Sequence, residues 1–146
     1  MNGMLQETIA GDLDASRGQV ILAGRVEVSG SIRAGGNLHA AGDIVIRGNI
    51  ENAVVDSSGG GIYVDGEIRG ERSVVRAFGD IKARAIRDAD VESLASIYVD
   101  DMIFQSNVRA RNLIEMKEGD GIIEASYAEA GMEITLKSVG SVSSGQ

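Results

Sequence analysis

The sequence predicts an all-β protein, a single-stranded, three-sided parallel β-helix with about 18 residues per turn. Three observations predict this fold: aliphatic residues recur at this interval, they form three separate columns, and apolar and polar residues alternate around them. A fixed repeat is typical of stacked architectures, and alternation is typical of short strands. Because no single turn could bury its apolar face, we expect the turns to stack on one another.

The aliphatic columns become visible when the chain is divided into turns. Successive turns read GDIVIRGNIENAV from Gly42, GGIYVDGEIRGERSV from Gly60, GDIKARAIRDADV from Gly79 and SIYVDDMIFQSNV from Ser96. The three predicted columns are Ile44, Ile62, Ile81, Ile97 and Leu113; Ile32, Ile50, Ile68, Ile86 and Ile103; and Val54, Val74, Val91 and Val108. Steps within a column range from 16 to 20 residues. Three columns per turn predict three sides.

Glycines mark the predicted corners, where we expect them to supply positive φ angles. Examples are Gly42, Gly48, Gly66 and Gly79. The longer Ser57–Gly61 segment is expected to form a loop at a corner and to leave the columns in register. Aliphatic residues between Val26 and Ile50 also recur every six residues, a period shared with left-handed hexapeptide helices. The repeat length therefore leaves the handedness open.

We expect residues 1–19 to form a lead-in or cap, residues 20–137 the β-helix and residues 138–146 a frayed tail.

Composition limits the class of protein. The chain has 43% hydrophobic residues but only 3% aromatic residues, which predicts an aliphatic core. The sequence has no cysteine, targeting segment or long apolar run, which predicts a cytoplasmic protein without direct membrane insertion. A net charge of -8 argues against nucleic acid as a partner.

Histidine chemistry has a single candidate. His39 follows Leu38 on an alternating segment, so its side chain is expected to point away from the core. Acyltransferases built on left-handed hexapeptide helices use a histidine base, and this class stays open as an alternative. Their repeat favours a small residue after each aliphatic one, whereas this chain has Glu27, Arg33 and Glu51 at such positions. The acyltransferase alternative is therefore disfavoured.

Acidic pairs are the other candidates for catalysis. Asp100 and Asp101 are adjacent, so on a strand their side chains face opposite sides and cannot converge on one substrate. Asp88 and Asp90 could share a face, and we expect them to lie at a solvated turn. No catalytic residue is predicted from either pair.

Cofactor sites are not predicted either. Asp43 and Asp80 each follow a glycine, but no GGxGxD run accompanies them, so we expect local turns rather than a calcium site. The glycine run Gly59–Gly61 lacks the lysine and hydroxyl residue of a phosphate-binding loop. With one histidine and no cysteine, we predict no metal, no cofactor and no enzymatic activity.

Two outward columns are predicted along the turns. One places Val45, Tyr63, Lys82 and Tyr98 above one another, and Val45, Tyr63 and Tyr98 form a candidate protein-contact patch because exposed aromatic side chains favour contacts. In the other, Glu51 is expected to lie between two arginines of adjacent turns. That column reads Arg33, Glu51, Arg69, Arg87 and Phe104.

Several segments resemble a known family. The run GDIKARAIRDADVESLASIYVDDMIFQSNVRA, from Gly79 to Ala110, resembles the β-helical part of the flagellar assembly protein A (FapA) family. Ala41 to Val55, Gly121 to Ser141 and the opening Asp14 to Gly36 are similar to further segments of it. Family members usually carry an added N-terminal domain and a C-terminal helical region, for which these residues offer no counterpart. The resemblance implies a right-handed β-helix.

More distant resemblances widen the choice of function. Gly59 to Ile86 is similar to the β-helical domain of the division inhibitor MinC, and the overall plan resembles bactofilins, which polymerise by stacking helix ends. The FapA resemblance implies a non-catalytic scaffold or protein-interaction domain in flagellar assembly or in polar or cell-surface organisation. A bactofilin-like, self-assembling cytoskeletal protein is the first alternative. We expect protein partners and a homo-oligomer formed through helix ends or faces.

Overall fold

A computed structural model describes residues 6–116, 122–124, 126–131, 133–135, 138–139 and 142–144 of the chain. Within this part the chain forms short β-strands, numbered here in chain order, and one short 3-10 helix at Ala15–Arg17. The strand pairs among these residues are parallel, and each joins neighbouring turns. The prediction of a parallel β-solenoid is therefore confirmed.

The strands stack in three ladders. The first consists of β1 (Gln6–Ile9), β3 (Arg25–Val28), β5 (Ile44–Ile46), β8 (Ile62–Val64), β11 (Ile81–Arg87), β13 (Ile97–Phe104), β15 (Leu113–Glu115) and β18 (Glu133–Thr135). The second consists of β6 (Ile50–Glu51), β9 (Glu67–Arg69), the second halves of β11 and β13, β16 (Ile122–Glu124) and β19 (Ser138–Val139). The third consists of β2 (Gln19–Leu22), β4 (Asn37–Ala40), β7 (Val54–Ser57), β10 (Val74–Ala77), β12 (Asp90–Ser93), β14 (Asn107–Ala110), β17 (Ser126–Ala130) and β20 (Val142–Ser144).

Strand register confirms two of the predicted columns in most positions. Ile44, Ile62, Ile81 and Ile97 are consecutive partners in the first ladder. In the second ladder the predicted column from Ile32 to Ile103 is paired throughout. The repeat of about 18 residues is confirmed, since most steps between such partners are 18 or 19. The triangular cross-section and the right-handed coil stay predictions.

Three column positions were predicted wrongly by one residue. The partner of Ile97 is Ile114, not Leu113. In the third ladder Val55 pairs with Val75 and Val75 with Val91, and all three are fully buried. The predicted Val54 and Val74 are therefore only half-buried neighbours of the column. Two valines are adjacent in each of these turns, so apolar character alone could not decide which one faces inward.

The core consists of aliphatic columns. Its fully buried large side chains, each with under 2% exposure, include Leu13 and isoleucines from every turn between Ile32 and Ile103. No aromatic residue belongs to the buried core among residues 6–116. Stacked isoleucines fill the interior because each turn places a similar side chain above the one before it.

The corner glycines lie where they were expected, but for a different physical reason. Gly42 and Gly48 do not have positive φ angles. The N–H of Gly48 instead donates to the carbonyl of Gly30 in the preceding turn, at 2.9 Å. A Cβ at Gly42 would lie 3.0 Å from the backbone nitrogen of Arg25. These glycines permit a close approach between turns, and Gly66 and Gly79 make the same kind of contact.

Turn lengths vary at the corners, as expected for Ser57–Gly61. Most residues with positive φ lie at the corner after the second ladder, namely Gly35, Asn52, Gly70, Asp88 and Gln105. A recess of about 640 Å³ lies at this corner between the loops around Gly35 and Gly70. Asn37 Oδ1 at its edge is buried and has no hydrogen-bond partner. The recess exists because the intervening turn, at Asn52, is shorter than its two neighbours.

Strand pairing extends into both flanking segments. β1, in the segment expected to be a lead-in, pairs with β3, and β20, in the expected tail, pairs with β17. The boundaries of residues 1–19, 20–137 and 138–146 as separate units stay predictions. The described residues contain no helix that is both long and apolar enough to cross a membrane.

Candidate interaction surface

Asp43 and Asp80 hold neighbouring turns together. The backbone N–H of Gly61 donates to Asp43 Oδ1 at 2.8 Å, and the N–H of Ser96 donates to Asp80 Oδ1 at 3.1 Å. These bonds join positions 18 and 16 residues apart, so the expected local turns were wrong: both carboxylates bond to the following turn. Asn49 does the same with the N–H of Glu67, at 2.8 Å. We call Asp43, Asn49 and Asp80 the turn clamps.

The other acidic candidates are spread along the surface. Asp88 lies at a corner with a φ of 52°, while Asp90 begins β12. Asp100 and Asp101 lie where β13 has two residues opposite Arg84, between the pairs Ala83↔Val99 and Ala85↔Met102. Asp101 lies 3.8 Å from Arg84. Within the described residues, no group of three or more His, Asp or Glu side chains could hold a metal ion.

His39 faces outward from β4, as expected, between the buried Leu38 and Ala40. Its Nδ1 lies 3.3 Å from Asp56 Oδ2 of the next turn, and the histidine side chain is 31% exposed. The two residues are register partners in the third ladder. This arrangement places the histidine in a surface pair between turns on an open strand face.

The predicted contact patch lies on the outer face of the first ladder. Val45 pairs with Tyr63, Tyr63 with Lys82, and Lys82 with Tyr98, so the predicted alignment is confirmed. Tyr63 and Tyr98 are half-buried and Lys82 is exposed. Val45 is only 8% exposed and offers little surface to a partner. The accessible part of the patch is therefore the two tyrosines, and Lys82 is exposed between them.

Tyr63 lies back along its own strand over Gly61. A Cβ at Gly61 would lie 2.7 Å from the tyrosine hydroxyl oxygen, so only glycine leaves room for this position of the ring. Burial raises the pKa of the Tyr63 hydroxyl, and the charges of Asp43 and Asp80 raise it further, whereas Arg25 lowers it. The hydroxyl therefore stays a neutral hydrogen-bonding group.

The outer face of the second ladder carries ion pairs. Glu51 lies between Arg33, at 3.5 Å, and Arg69, at 2.7 Å, as predicted. Glu67 is only 11% exposed and contacts Arg84 at 3.0 Å and Arg87 at 3.2 Å. Arg69 also approaches Glu67, at 3.8 Å. These arginines join successive turns through shared carboxylates, so this face serves to hold the stack together.

Three large apolar residues in the described part of the third ladder are exposed, Ile21, Phe78 and Leu94, and the sequence did not predict them as surface residues. Phe78 is 58% exposed and Leu94 is 43% exposed, and they lie one turn apart at the ends of β10 and β12. Val74 was wrongly predicted to face the core. Because Phe78 lies four residues later on the same side of the strand, this prediction also placed Phe78 inside. Alternation from Val75, the residue that is buried, places Arg76 and Phe78 outside.

A family comparison agrees with this architecture. A family model described as the Flagellar Assembly Protein A beta solenoid domain matches residues 7–146. No curated protein and no solved structure matches the chain. The match covers the ladders from β1 to β20, including the run from Gly79 to Ala110 that resembles the family. A solenoid of parallel strands and a match over nearly its whole length show that the chain belongs to the FapA beta solenoid domain family.

Proposed function

We propose that the chain is a non-catalytic scaffold and protein-interaction domain that acts in flagellar assembly in the cytoplasm. The observation that carries the proposal is the use of its polar side chains. Asp43, Asp80 and Glu67 join turns, and His39 pairs with Asp56 on an open face. Side chains engaged in this way support a rigid stack with an extended surface. Family membership supports the flagellar context.

The contact surface in this proposal is the outer face of the first ladder. Tyr63 and Tyr98 lie on either side of Lys82, with about two strand spacings, roughly 10 Å, between the tyrosines. Aromatic side chains in a rigid frame contribute contact area with little loss of side-chain entropy. A protein partner with an acidic residue between two apolar side chains would complement one lysine between two tyrosines.

The test is quantitative partner recovery. The purified chain is immobilised and exposed to lysate from a flagellated bacterium, next to a Tyr63→Ala/Tyr98→Ala double variant. Ile21→Ala is the matched control, since Ile21 is 69% exposed on a different ladder. We expect flagellar assembly proteins to be enriched by the original chain and by the control. The double variant should recover about tenfold less, which corresponds to the loss of one modest hot spot.

Two outcomes would contradict the proposal. Equal recovery by the double variant would remove the tyrosine face as the contact surface. Recovery of no flagellar component by any chain would contradict the flagellar role. Heat released on adding millimolar coenzyme A would instead favour the acyltransferase alternative, and filaments in electron micrographs would favour bactofilin-like assembly.

A further inference from the structure

The outer face of the third ladder carries a column of alternating charge. Its consecutive register partners are Asp56, Arg76, Glu92 and Arg109, one residue per turn. Their side chains are between 33% and 63% exposed. Arg76 and Arg109 approach Glu92 only to 3.5 and 3.7 Å, and Asp56 instead contacts His39. These charged side chains can therefore still form ion pairs with groups of another molecule.

This order of charges is complementary to itself when it is reversed. Read in one direction the column is negative, positive, negative, positive, and read in the other it is positive, negative, positive, negative. We propose that two copies of this chain pair through the third-ladder face about a two-fold axis that runs parallel to the strands, midway between β10 and β12. Arg76 of each copy then lies opposite Glu92 of the other, and Asp56 lies opposite Arg109.

The same axis brings the exposed apolar residues together. Phe78 lies two residues after Arg76 and Leu94 two residues after Glu92, on the same outward side of their strands. Reversal of the ladder therefore places Phe78 of one copy opposite Leu94 of the other, twice in each dimer. A recess of about 310 Å³ beside these residues, lined in part by Ser58 and Ala77, can receive the opposing side chain. An apolar centre inside a ring of charged residues is typical of specific interfaces.

The charges of the four paired residues do not oppose self-association through this face. The whole chain carries -8, so two copies repel each other in most orientations. Asp56, Arg76, Glu92 and Arg109 sum to zero. The other two-fold arrangement of this face has its axis across the strands. It would place each charged residue opposite the same residue of the second molecule, so that like charges face each other. Charge complementarity therefore selects the antiparallel arrangement.

A charge-reversal mixing experiment tests the dimer. Sedimentation velocity over a concentration series is expected to show a reversible dimer for the original chain. Arg76→Glu makes positions 76 and 92 both negative, and Glu92→Arg makes both positive. Each variant alone faces like charges across the axis, so we expect its dissociation constant to rise about 100-fold. An equimolar mixture of the two variants restores both pairs and should form a heterodimer.

Further variants keep the outcome decisive. Phe78→Ser and Leu94→Ser should each weaken the dimer, whereas Ile21→Ser, on the same face but outside the proposed centre, should not. Circular dichroism of every variant checks that the β-solenoid is intact. A monomer at all concentrations up to millimolar, or a dimer that survives Arg76→Glu unchanged, would overturn the proposal. The result does not depend on any flagellar partner, so it is separable from the test of the proposed function.

Discussion

The environment of Tyr63 shows how one small residue positions a surface side chain. Gly61 has the carbonyl oxygen of Asp80 at 2.6 Å and the Tyr63 hydroxyl at 2.7 Å from where a Cβ would lie. The missing Cβ leaves room for the tyrosine to lie along the strand, near the carboxylates of Asp43 and Asp80. Both burial and these negative charges favour the neutral phenol over the phenolate. The contact patch of the first ladder thus contains an oriented aromatic ring with a neutral hydroxyl.

Titration of Tyr63 gives a test at the residue scale. The difference in tyrosinate absorbance between the original chain and Tyr63→Phe should show Tyr63 ionising above the ordinary pKa of 10.0. Asp80→Asn should bring that pKa down, because it removes a negative charge and keeps an oxygen acceptor for Ser96. Since the folded pKa is raised, the stability contribution is complete below pH 10.0 and is lost as pH rises through the folded pKa. A Tyr63 pKa unaffected by Asp80→Asn would contradict this environment.

At the scale of single turns, hydrogen bonds from side chains fasten each corner to the next one. The carboxylate of Asp43 and the amide oxygen of Asn49 accept backbone N–H groups from the following turn, at 2.8 Å in both cases. Serines act in a similar way, since the N–H of Asn49 donates to Ser31 Oγ at 2.9 Å. Corner N–H groups that the strand ladders leave unpaired are satisfied in this way. The turn clamps thus set the stacking of corners as the ladders set that of strands.

Substitution of Asp43 tests the turn clamps. Asp43→Ala leaves the N–H of Gly61 without its acceptor and should lower the free energy of unfolding by about 1–3 kcal/mol. Asp43→Asn keeps a side-chain oxygen at the same position and should lose less than half of that amount. Urea unfolding followed by circular dichroism measures both. Equal losses in the two variants would show that the hydrogen bond contributes nothing and that another property of Asp43 is responsible.

At the scale of the whole molecule, the chain is a stack in which each turn contacts its neighbours. Ile68 in the second ladder pairs with Ile50 on one side and Ile86 on the other, and all three are fully buried. Stability in such a stack is approximately the sum of turn and interface contributions. A local defect should therefore weaken the adjacent turns more than distant ones.

Hydrogen exchange of Ile68→Ala tests this nearest-neighbour behaviour. The cavity should cost about 2–5 kcal/mol, and backbone amides near Ile50 and Ile86 should exchange faster than before. Amides near Leu13, two turns beyond Ile50, should change much less. Ile21→Ala, at an exposed position, should leave exchange unchanged throughout. A uniform increase along the chain after Ile68→Ala would show that the solenoid unfolds as a single unit instead.

The sequence alone determined the fold class and most of the register. Isoleucines spaced about 18 residues apart predicted which residues pair, and alternation predicted that Tyr63, Lys82 and Tyr98 share an outer column. The same spacing predicted Glu51 between two arginines, as the ion pairs to Arg33 and Arg69 confirm. These features could be predicted because a stacked repeat converts sequence period directly into spatial neighbourhood.

Only the tertiary structure decided which of two adjacent valines is buried, and with that the position of Phe78 outside the solenoid. It also decided that Val45 is covered, that the clamp carboxylates reach the following turn, and that corner glycines serve close contact between turns. Each of these depends on distances between turns. A one-residue shift of register reverses the side to which a side chain points, and neighbouring apolar residues such as Val74 and Val75 leave that shift unresolved until the turns are stacked.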